Sequence, residues 1–331
     1  MGADASRDHL PPQDHLPPQD HLAPRQSAEV LALAVRTSMH DGVRPLSEQT
    51  VLDLRRLDSA TATDTPTKHL LVQDRPGEVD ARLLGYAHVE PSAGPSAEVV
   101  VNPEHRRQGV GTALVRRILE LWPGARLWAH GDLPAARALA AHLGLDPVRD
   151  LWQMSRPLSG EWSDLPDVPL PDGFAVRHFE VGRDEQAWLQ VNARSFAAHP
   201  EQGRTTAADL AERIAEPWFD PSGFLLIEDR REPTGPHPPP LAAFHWTKVE
   251  PAEPGHSTPT GGEVYVLGVD PDYQGMGLSK VATVLGLRHL RARGLDAVTL
   301  YVDGDNAAAI ATYHRLGFER SAIDVMYAAG T

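Results

Sequence analysis

The most informative segment of this chain covers residues 269–279 and reads Val269-Asp270-Pro271-Asp272-Tyr273-Gln274-Gly275-Met276-Gly277-Leu278-Ser279. It follows a strand-like run from Glu263 to Val269 and precedes an apolar pattern of helical spacing. Glycine lets the backbone turn tightly with its N–H groups exposed, and the N-terminus of a helix adds partial positive charge. The stretch therefore predicts a strand, loop and helix whose backbone binds a diphosphate without a basic side chain.

A second copy of this pattern lies earlier in the chain. Pro271 corresponds to Pro103, an offset of 168 residues (271 − 103), and the earlier loop reads Arg106-Arg107-Gln108-Gly109-Val110-Gly111. Further along, Leu316-Gly317-Phe318 matches Leu143-Gly144-Leu145 at an offset of 173 (316 − 143). One glycine loop is a weak signal, because glycine is a common residue. Two loops in equivalent positions indicate two copies of one domain.

Each copy combines strand-like runs with a helical pattern after the third run, so we predict an α+β fold. The predicted strands cover residues 68–73, 82–90, 97–101 and 125–130 in the first copy, and 224–228, 241–249, 263–269 and 297–302 in the second. We expect a disordered Pro-rich repetitive tail over residues 1–26, an N-terminal domain over 27–158, a linker over 159–172 and a C-terminal domain over 173–331.

Composition excludes several classes of protein. The net charge of −14 argues against a dedicated nucleic-acid binder, and the absence of cysteine rules out disulfides, thiolate metal sites and a cysteine nucleophile. The histidines show no metal-ligand spacing, so we expect no metal. No apolar run is long enough to span a bilayer and no secretory signal is visible, so we expect a soluble, cytoplasmic protein.

The loop, its preceding strand and the segment Asn306-Ala307-Ala308-Ala309…Tyr313-His314-Arg315-Leu316-Gly317-Phe318 resemble the GNAT acetyltransferase superfamily. The resemblance implies a mixed, mostly antiparallel sheet flanked by helices in each copy. It also implies that the loop holds the pyrophosphate of acetyl-CoA and that a tyrosine on the following helix protonates the departing thiolate. Asn306 is suited to begin that helix, and Tyr313 lies seven residues later on the same face.

The two copies differ at the proton donor. At the offset of 173, Tyr313 corresponds to Ala140, and Asn306 corresponds to Leu133. Alanine cannot donate a proton. We therefore assign catalysis to the C-terminal copy and expect the N-terminal copy to keep a cofactor-binding loop without activity.

Within this superfamily the chain resembles the tandem mycothiol synthase family. The resemblance rests on the segments His199–Gly203, Glu216–Asp220, Phe244–Val249, Gly262–Val266 and Tyr301–Asn306. It implies transfer of acetyl from acetyl-CoA to the cysteinyl amine of cysteinyl-glucosaminyl-inositol, the last step of mycothiol biosynthesis. It further implies one acetyl-CoA in each copy and a small-molecule acceptor. We expect no nucleic-acid or membrane partner, and we expect a monomer. Ser279 departs from the family's usual Gly or Ala, although serine is also small.

The resemblance also assigns roles to individual residues. Glu263 is the expected base, directly or through water, Tyr313 is the expected general acid, and a backbone N–H near Leu267 to Val269 would stabilise the oxyanion. The acceptor-binding residues are expected to be Glu48, Glu201, Lys248, Glu263 and Tyr301. In the C-terminal copy the cofactor-binding residues are expected to be Leu267, Gly268, Val269, Gln274, Gly275, Met276, Gly277, Leu278, Ser279, Lys280, Asn306, Ala307, Ala308, Ala309, Ile310 and Ala311. In the N-terminal copy they are Val99, Val100, Val101, Arg107, Gln108, Gly109, Val110, Gly111 and Thr112.

Two alternatives stay open at this level. The same fold can acetylate a different amine, such as an aminoglycoside-like compound, a polyamine or a protein N-terminus. The chain can also be an acetyl-CoA-binding module without catalysis.

Overall fold

A computed structural model describes residues 16–56, 67–78, 80–92, 94–160, 163–197, 200–231, 238–250 and 261–330. The chain forms two compact units. The first unit comprises Met1–Leu151 with Ala322–Thr331, and the second unit comprises Trp152–Ser321. The fold is α+β, as predicted.

The described helices are α1 (Pro24–Asp41), α2 (Glu48–Arg56), α3 (Val110–Leu121), α4 (Pro134–His142), α5 (Glu185–Ser195), α6 (Pro200–Gly203), α7 (Ala207–Ala215), α8 (Leu278–Ala292) and α9 (Ala307–Arg315). The described strands are β1 (Lys68–Gln73), β2 (Leu83–Glu90), β3 (Ser96–Val101), β4 (Arg126–Ala129), β5 (Leu145–Pro157), β6 (Phe174–His178), β7 (Phe224–Asp229), β8 (Leu241–Lys248), β9 (Gly261–Val269), β10 (Ala297–Asp303) and β11 (Glu319–Ala329).

The first unit is built on the strand order β1-β2-β3-β4-β11. Only β3 and β4 pair in parallel, while the other neighbours pair antiparallel. Alternate residues of β3 face opposite sides of the sheet, so Ala97 packs with α3 and Val100 packs with α1. Each face of this sheet is therefore covered by a helix with an apolar stripe.

The second unit repeats this plan with the order β10-β9-β8-β7-β6. Strands β9 and β10 pair in parallel, and β8 pairs antiparallel with both β7 and β9. Helices α8 and α9 cover one face, where Leu287, Val298 and Leu316 share a core. Helices α5 and α7 cover the other face through Trp188 and Leu210. The sheet thus has an α8/α9 face and an α5/α7 face.

The prediction of a disordered tail is wrong from residue 16 onward. Leu16 and Leu22 are only 3% and 4% exposed, because each packs into a core of the first unit. The backbones of Gln19 and His69 exchange two hydrogen bonds of 2.9 Å. Pro24 begins α1, where its missing N–H costs nothing. Leu16 and Leu22 of this Pro-rich segment are therefore core residues, and residues 1–15 lie outside the described part.

The expected boundaries also differ from the division into units. Leu165, Val168 and Leu170 of the expected linker pack against cores of the second unit, and the division falls instead between Leu151 and Trp152. The chain's last ten residues belong to the first unit, because Met326 of β11 pairs with Trp128 of β4. The final strand of the sequence therefore completes the sheet of the first copy.

Candidate active site

The loop of the second unit has the backbone geometry that its sequence predicts. Gly275 and Gly277 have φ of 80° and 78°, in the left-handed region that favours glycine. Gly277 is also the N-cap of α8. A Cβ atom at either position would meet no other atom within 4 Å. The loop therefore borders open space at the positive end of a helix.

A cleft of about 480 Å³ lies against this loop in the second unit. Its other wall is α9, which contributes Ala308, Thr312 and Arg315. The expected cofactor residues that line it are Val269, Gln274, Gly275, Gly277, Leu278, Ser279, Lys280 and Ala308. The cleft is also lined by four residues that the sequence did not predict: Tyr273, Thr312, Arg315 and Leu316. The helical spacing of Thr312 and Arg315 from Ala308, four and seven residues, was a usable signal for two of them.

The other expected cofactor residues of this unit do not line the cleft. Asn306 caps α9, since its side chain accepts a hydrogen bond of 3.1 Å from the Ala309 backbone. Met276 is 39% exposed beside the loop glycines. Leu267 and Gly268 belong to β9, and Ala307, Ala309, Ile310 and Ala311 belong to α9.

Strands β9 and β10 separate part-way along their length. Their parallel pairing runs from Gly261↔Ala297 to Val264↔Leu300, a total of four pairs. Strand β9 nevertheless continues to pair with β8 as far as Val269. The backbone groups of the last part of β9 that do not face β8 therefore point into an opening beside β10. This opening follows directly from the register and leads toward the loop at the end of β9.

A β-bulge stands where the opening begins. Trp246 of β8 lies opposite Val266, whereas Thr247 lies opposite Val264, so Tyr265 is an extra residue in β9. Val264 belongs to the core under α8, but both Tyr265 and Val266 pack with the core under α5 and α7. The bulge thus places two successive side chains on one face and shifts the alternation of the strand beyond it.

Three of the expected acceptor residues share the α5/α7 face. Glu263 pairs with Lys248 on one side and with Thr299 on the other. Its neighbour Val264 faces α8, so Glu263 points to the opposite face. Tyr301 lies two residues after Thr299, on the same face, and is 47% exposed. The register therefore brings Glu263, Lys248 and Tyr301 together on one side of the sheet.

Tyr313 lies on the α8/α9 face. Its ring packs edge-on against Phe318 with 5.7 Å between the ring centroids. Burial raises the pKa of Tyr313 to about 12, because a phenolate would be poorly solvated there. The phenol therefore keeps its proton at neutral pH, as a general acid requires. Tyr313 and Glu263 therefore belong to opposite faces of the sheet.

The first unit keeps the loop but lacks other parts of this arrangement. Gly109 has φ of 92°, while Arg107 occupies the left-handed position of Gly275 with φ of 63°. Strands β2 and β3 pair from Gly85↔Val101 to Glu90↔Ser96 without a register shift, so no bulge is present in β3. Ala140, at the position of Tyr313, is buried in the core.

The remaining expected residues of the first unit are also placed. Pairing of β3 with β4 ends at Glu98↔Trp128, so Val99, Val100 and Val101 lie beyond it. At Gly111 a Cβ atom would lie 3.2 Å from Leu139 of α4. Val110 is a buried core residue, and Gln108 and Thr112 flank the loop glycines.

The two other expected acceptor residues belong to helices α2 and α6. Glu48 is the first residue of α2, in the first unit. The backbone of Glu201 belongs to α6, but its side chain lies outside the described residues. Among the described ranges, we find no group of three carboxylate or imidazole side chains arranged to hold a metal ion. The described helices likewise include none that is long and apolar enough to cross a membrane.

Comparison with known proteins agrees with this geometry. Residues 188–318 match the acetyltransferase (GNAT) family, and residues 67–144 match an acetyltransferase (GNAT) domain. The mycothiol acetyltransferase of Thermomonospora curvata is 52% identical over 91% of this chain and 93% of its own length. The mycothiol acetyltransferase of Kytococcus sedentarius is 50% identical over 89% of this chain and 91% of its own. The chain belongs to the mycothiol acetyltransferase family.

Membership of the mycothiol acetyltransferase family makes this chain an acyltransferase built from two GNAT domains. A solved structure supports the fold alone: a tandem GNAT protein from the clavulanic acid biosynthesis pathway has a TM-score of 0.66 and 20% identity, covering 95% of this chain and 98% of that protein. The predicted family, fold class and enzyme class are therefore confirmed.

Proposed function

We propose that the second unit transfers the acetyl group of acetyl-CoA to the cysteinyl amine of cysteinyl-glucosaminyl-inositol. One observation carries the proposal: the strands β9 and β10 part beyond Val264 and Leu300, between a carboxylate on one face and a phenol on the other. An amine and a thioester can then meet in the opening from opposite faces of the sheet.

The residues around the cleft fit coenzyme A. Gly275 and Gly277 leave free space at the N-terminus of α8, where backbone N–H groups can bind a pyrophosphate. Lys280 and Arg315 line the same cleft and supply positive charge for a phosphate. The backbone of β9 beyond its pairing with β10 can hold an extended amide-containing arm, as an added strand would be held.

When bound, the cosubstrate supplies an activated acetyl group as a thioester. Glu263 would accept a proton from the acceptor ammonium, directly or through water. An α-amine has a reference pKa of about 7.7–8.0, so a modest base suffices at neutral pH. Backbone N–H groups of Leu267 to Val269 would hold the carbonyl oxygen that gains negative charge. Tyr313 would give its proton to the departing sulfur.

The acceptor would bind on the α5/α7 face. Glu263 and Lys248 lie opposite each other on neighbouring strands, and Tyr301 shares their face. A carboxylate accepts hydrogen bonds from sugar and inositol hydroxyls, while an ammonium donates to their oxygens. These three groups suit a polyhydroxylated amine better than an apolar one. Glu48 and Glu201 remain proposed acceptor contacts by family resemblance.

We also propose that the first unit binds acetyl-CoA without reacting. It keeps the left-handed loop at the N-terminus of α3 and the end of strand pairing beyond Glu98. It has an alanine in place of the proton donor, and its third strand is unbulged. Acetyl-CoA at this position would therefore lack a group that protonates the sulfur.

The test is turnover with defined acceptors, followed by mass spectrometry of the product. Cysteinyl-glucosaminyl-inositol should be N-acetylated with release of one coenzyme A for each product molecule. A polyamine, an aminoglycoside and a peptide N-terminus serve as competing acceptors. Fast acetylation of one of these, with no activity on cysteinyl-glucosaminyl-inositol, would reject the acceptor. Calorimetric titration with acetyl-CoA should give two sites in the wild type, and binding without any turnover would instead favour the binding-module alternative.

A further inference from the structure

The ammonium of Lys248 is nearly buried and lies over two aromatic rings. Its side chain is 5% exposed, and Nζ lies 4.9 Å from the ring centre of Trp218 and 5.4 Å from that of Tyr265. Glu250 adds an ion pair at 3.0 Å. A desolvated ammonium over two aromatic faces is attracted by the negative potential of each ring. The two rings therefore help to hold this charge in place, together with Glu250.

The ring of Tyr265 is itself fixed on three sides. It packs edge-on against Trp218 and Trp246, with centroid distances of 5.0 and 5.1 Å. Its hydroxyl accepts a hydrogen bond of 2.7 Å from Nε of Arg213 in α7. Arg213 in turn donates to the Asp209 carbonyl at 3.0 Å, within the same helix. A movement of the Tyr265 ring would break contacts with β8, with α7 and with the segment that carries Trp218.

Tyr265 is also the extra residue of the bulge in β9. It stands two residues after Glu263 and on the same face, at the point where β9 leaves β10. Tyr265 therefore places a backbone bulge close to Glu263, the expected base, and a ring under the ammonium of Lys248, an expected acceptor-binding residue. This coincidence links the shape of the strand to the position of Lys248.

We infer that Tyr265, anchored by Arg213, is a positioning residue for the acceptor: with Trp218 it holds the ammonium of Lys248 beside Glu263. The inference rests on the proposed acceptor site. It assigns Tyr265 and Arg213 no contact with acetyl-CoA. A loss of this anchor should therefore weaken acceptor binding and leave cosubstrate binding intact.

Steady-state kinetics of Tyr265→Phe and Arg213→Met test this inference. Each variant removes one partner of the same hydrogen bond, and the phenylalanine keeps the ring and the bulge. Each should raise the KM for cysteinyl-glucosaminyl-inositol roughly tenfold, as expected for loss of a hydrogen bond to a charged group. The kcat and the KM for acetyl-CoA should stay within about twofold of wild type. For the acceptor KM the double variant should resemble either single variant, because both changes break the same hydrogen bond between Arg213 and Tyr265.

Arg183→Met is the matched control, since it removes an exposed ion pair with Glu180 in the same unit. It should leave all three kinetic constants unchanged. An unchanged acceptor KM in both folded test variants would overturn the inference. A parallel loss of acceptor and acetyl-CoA binding would also overturn it, because that pattern indicates a general distortion of β9.

A second measurement examines the geometry without catalysis. The chain contains only three lysines, Lys68, Lys248 and Lys280, so ¹³C-lysine labelling gives few side-chain signals, each assignable by a lysine-to-arginine variant. The Hε protons of Lys248 should be shifted upfield by ring currents, and Tyr265→Leu should reduce this shift while leaving Lys280 unmoved. A Lys248 signal without a ring-current shift would refute the placement of Lys248 over the Tyr265 ring, even if cysteinyl-glucosaminyl-inositol is the acceptor. If the wild type does not acetylate cysteinyl-glucosaminyl-inositol but shows the ring-current shift, the proposed function is rejected. Tyr265 then only holds Lys248 in place.

Discussion

The Nδ1 atom of His130 lies 3.0 Å from a carboxylate oxygen of Asp324, and this contact ties the chain's last strand to the loop after β4 in the first unit. The other ring nitrogen of His130 lies 3.0 Å from Glu98. The second oxygen of Asp324 accepts a hydrogen bond of 2.8 Å from the Gly131 backbone. One imidazolium thus joins β3, β4 and β11.

The stability of the first unit should depend on pH through this cluster. Burial opposes the charge on His130, but the hydrogen bonds and charges of Asp324 and Glu98 outweigh it and raise the pKa of His130 to about 10. The usual pKa is 6.5, so the stabilisation is complete below about pH 6.5 and is lost as the pH rises toward 10. The difference in unfolding free energy between wild type and His130→Gln should therefore shrink over that range, as measured by urea denaturation.

At pH 6 the same variant should lose about 3–5 kcal/mol, because two buried carboxylates would be left without their cation. The exposed His142, at the end of α4, gives a control: His142→Gln should change stability little at any pH. A constant difference between wild type and His130→Gln from pH 6 to pH 10 would contradict a charged His130.

Tyr313→Phe should lower kcat by roughly 10²-fold or more if protonation of the sulfur limits the rate. Affinity for acetyl-CoA should be retained, since the ring that packs against Phe318 is preserved. Because burial raises the pKa of Tyr313 to about 12, the wild-type pH–rate profile should show no fall due to this residue in the neutral or mildly alkaline range. Stopped-flow kinetics across pH would check both points.

Tyr327→Phe, which changes a tyrosine of the first unit, should leave the rate unchanged. Normal turnover by Tyr313→Phe with reduced thermal stability would mean that Tyr313 serves only the packing of α9.

Gly275 and Arg107 occupy the same left-handed position in the two loops, so opposite substitutions can be compared there. Gly275→Ala places a side chain at φ of 80°, which costs about 1–2 kcal/mol, and should raise the Kd for acetyl-CoA in the second unit up to about tenfold. Arg107→Gly relieves the same conformation at φ of 63° and should stabilise the first unit by as much as about 1 kcal/mol. Calorimetry and chemical denaturation would measure the two effects. If both variants behave like wild type, the left-handed geometry does not matter to the loop.

Gly286 allows a close approach of α8 to the sheet. A Cβ atom there would overlap the imidazole of His245, whose Nδ1 donates a 2.7 Å hydrogen bond to the Ala282 carbonyl. Gly286→Ala should therefore destabilise the second unit by about 2 kcal/mol, although alanine favours a helix by about 1 kcal/mol. In a His245→Ala background the same change should be neutral or stabilising. Equal effects in the two backgrounds, measured by thermal denaturation, would exclude the steric explanation.

The bulge at Tyr265 shows why part of the site was beyond prediction. The run Glu263 to Val269 reads as an ordinary strand, because one extra residue in a register is visible only against the partner strand. The sequence placed Glu263 and Tyr313 in the right elements. It gave no sign that Arg213 of α7, far away in the chain, reaches the Tyr265 hydroxyl.

The sequence alone determined that two copies of one α+β domain follow each other, that both carry a glycine loop before a helix, and that only the later copy has a tyrosine where the earlier has Ala140. These features depend on local backbone preference and on residue identity, so a linear reading suffices. Three features became visible only in the tertiary structure: β11 completes the first unit's sheet, Leu16 is a core residue, and Glu263 and Tyr313 lie on opposite faces of the second unit's sheet. Each of these depends on which distant segments pair or pack, and the pattern within one segment does not say which partner it meets.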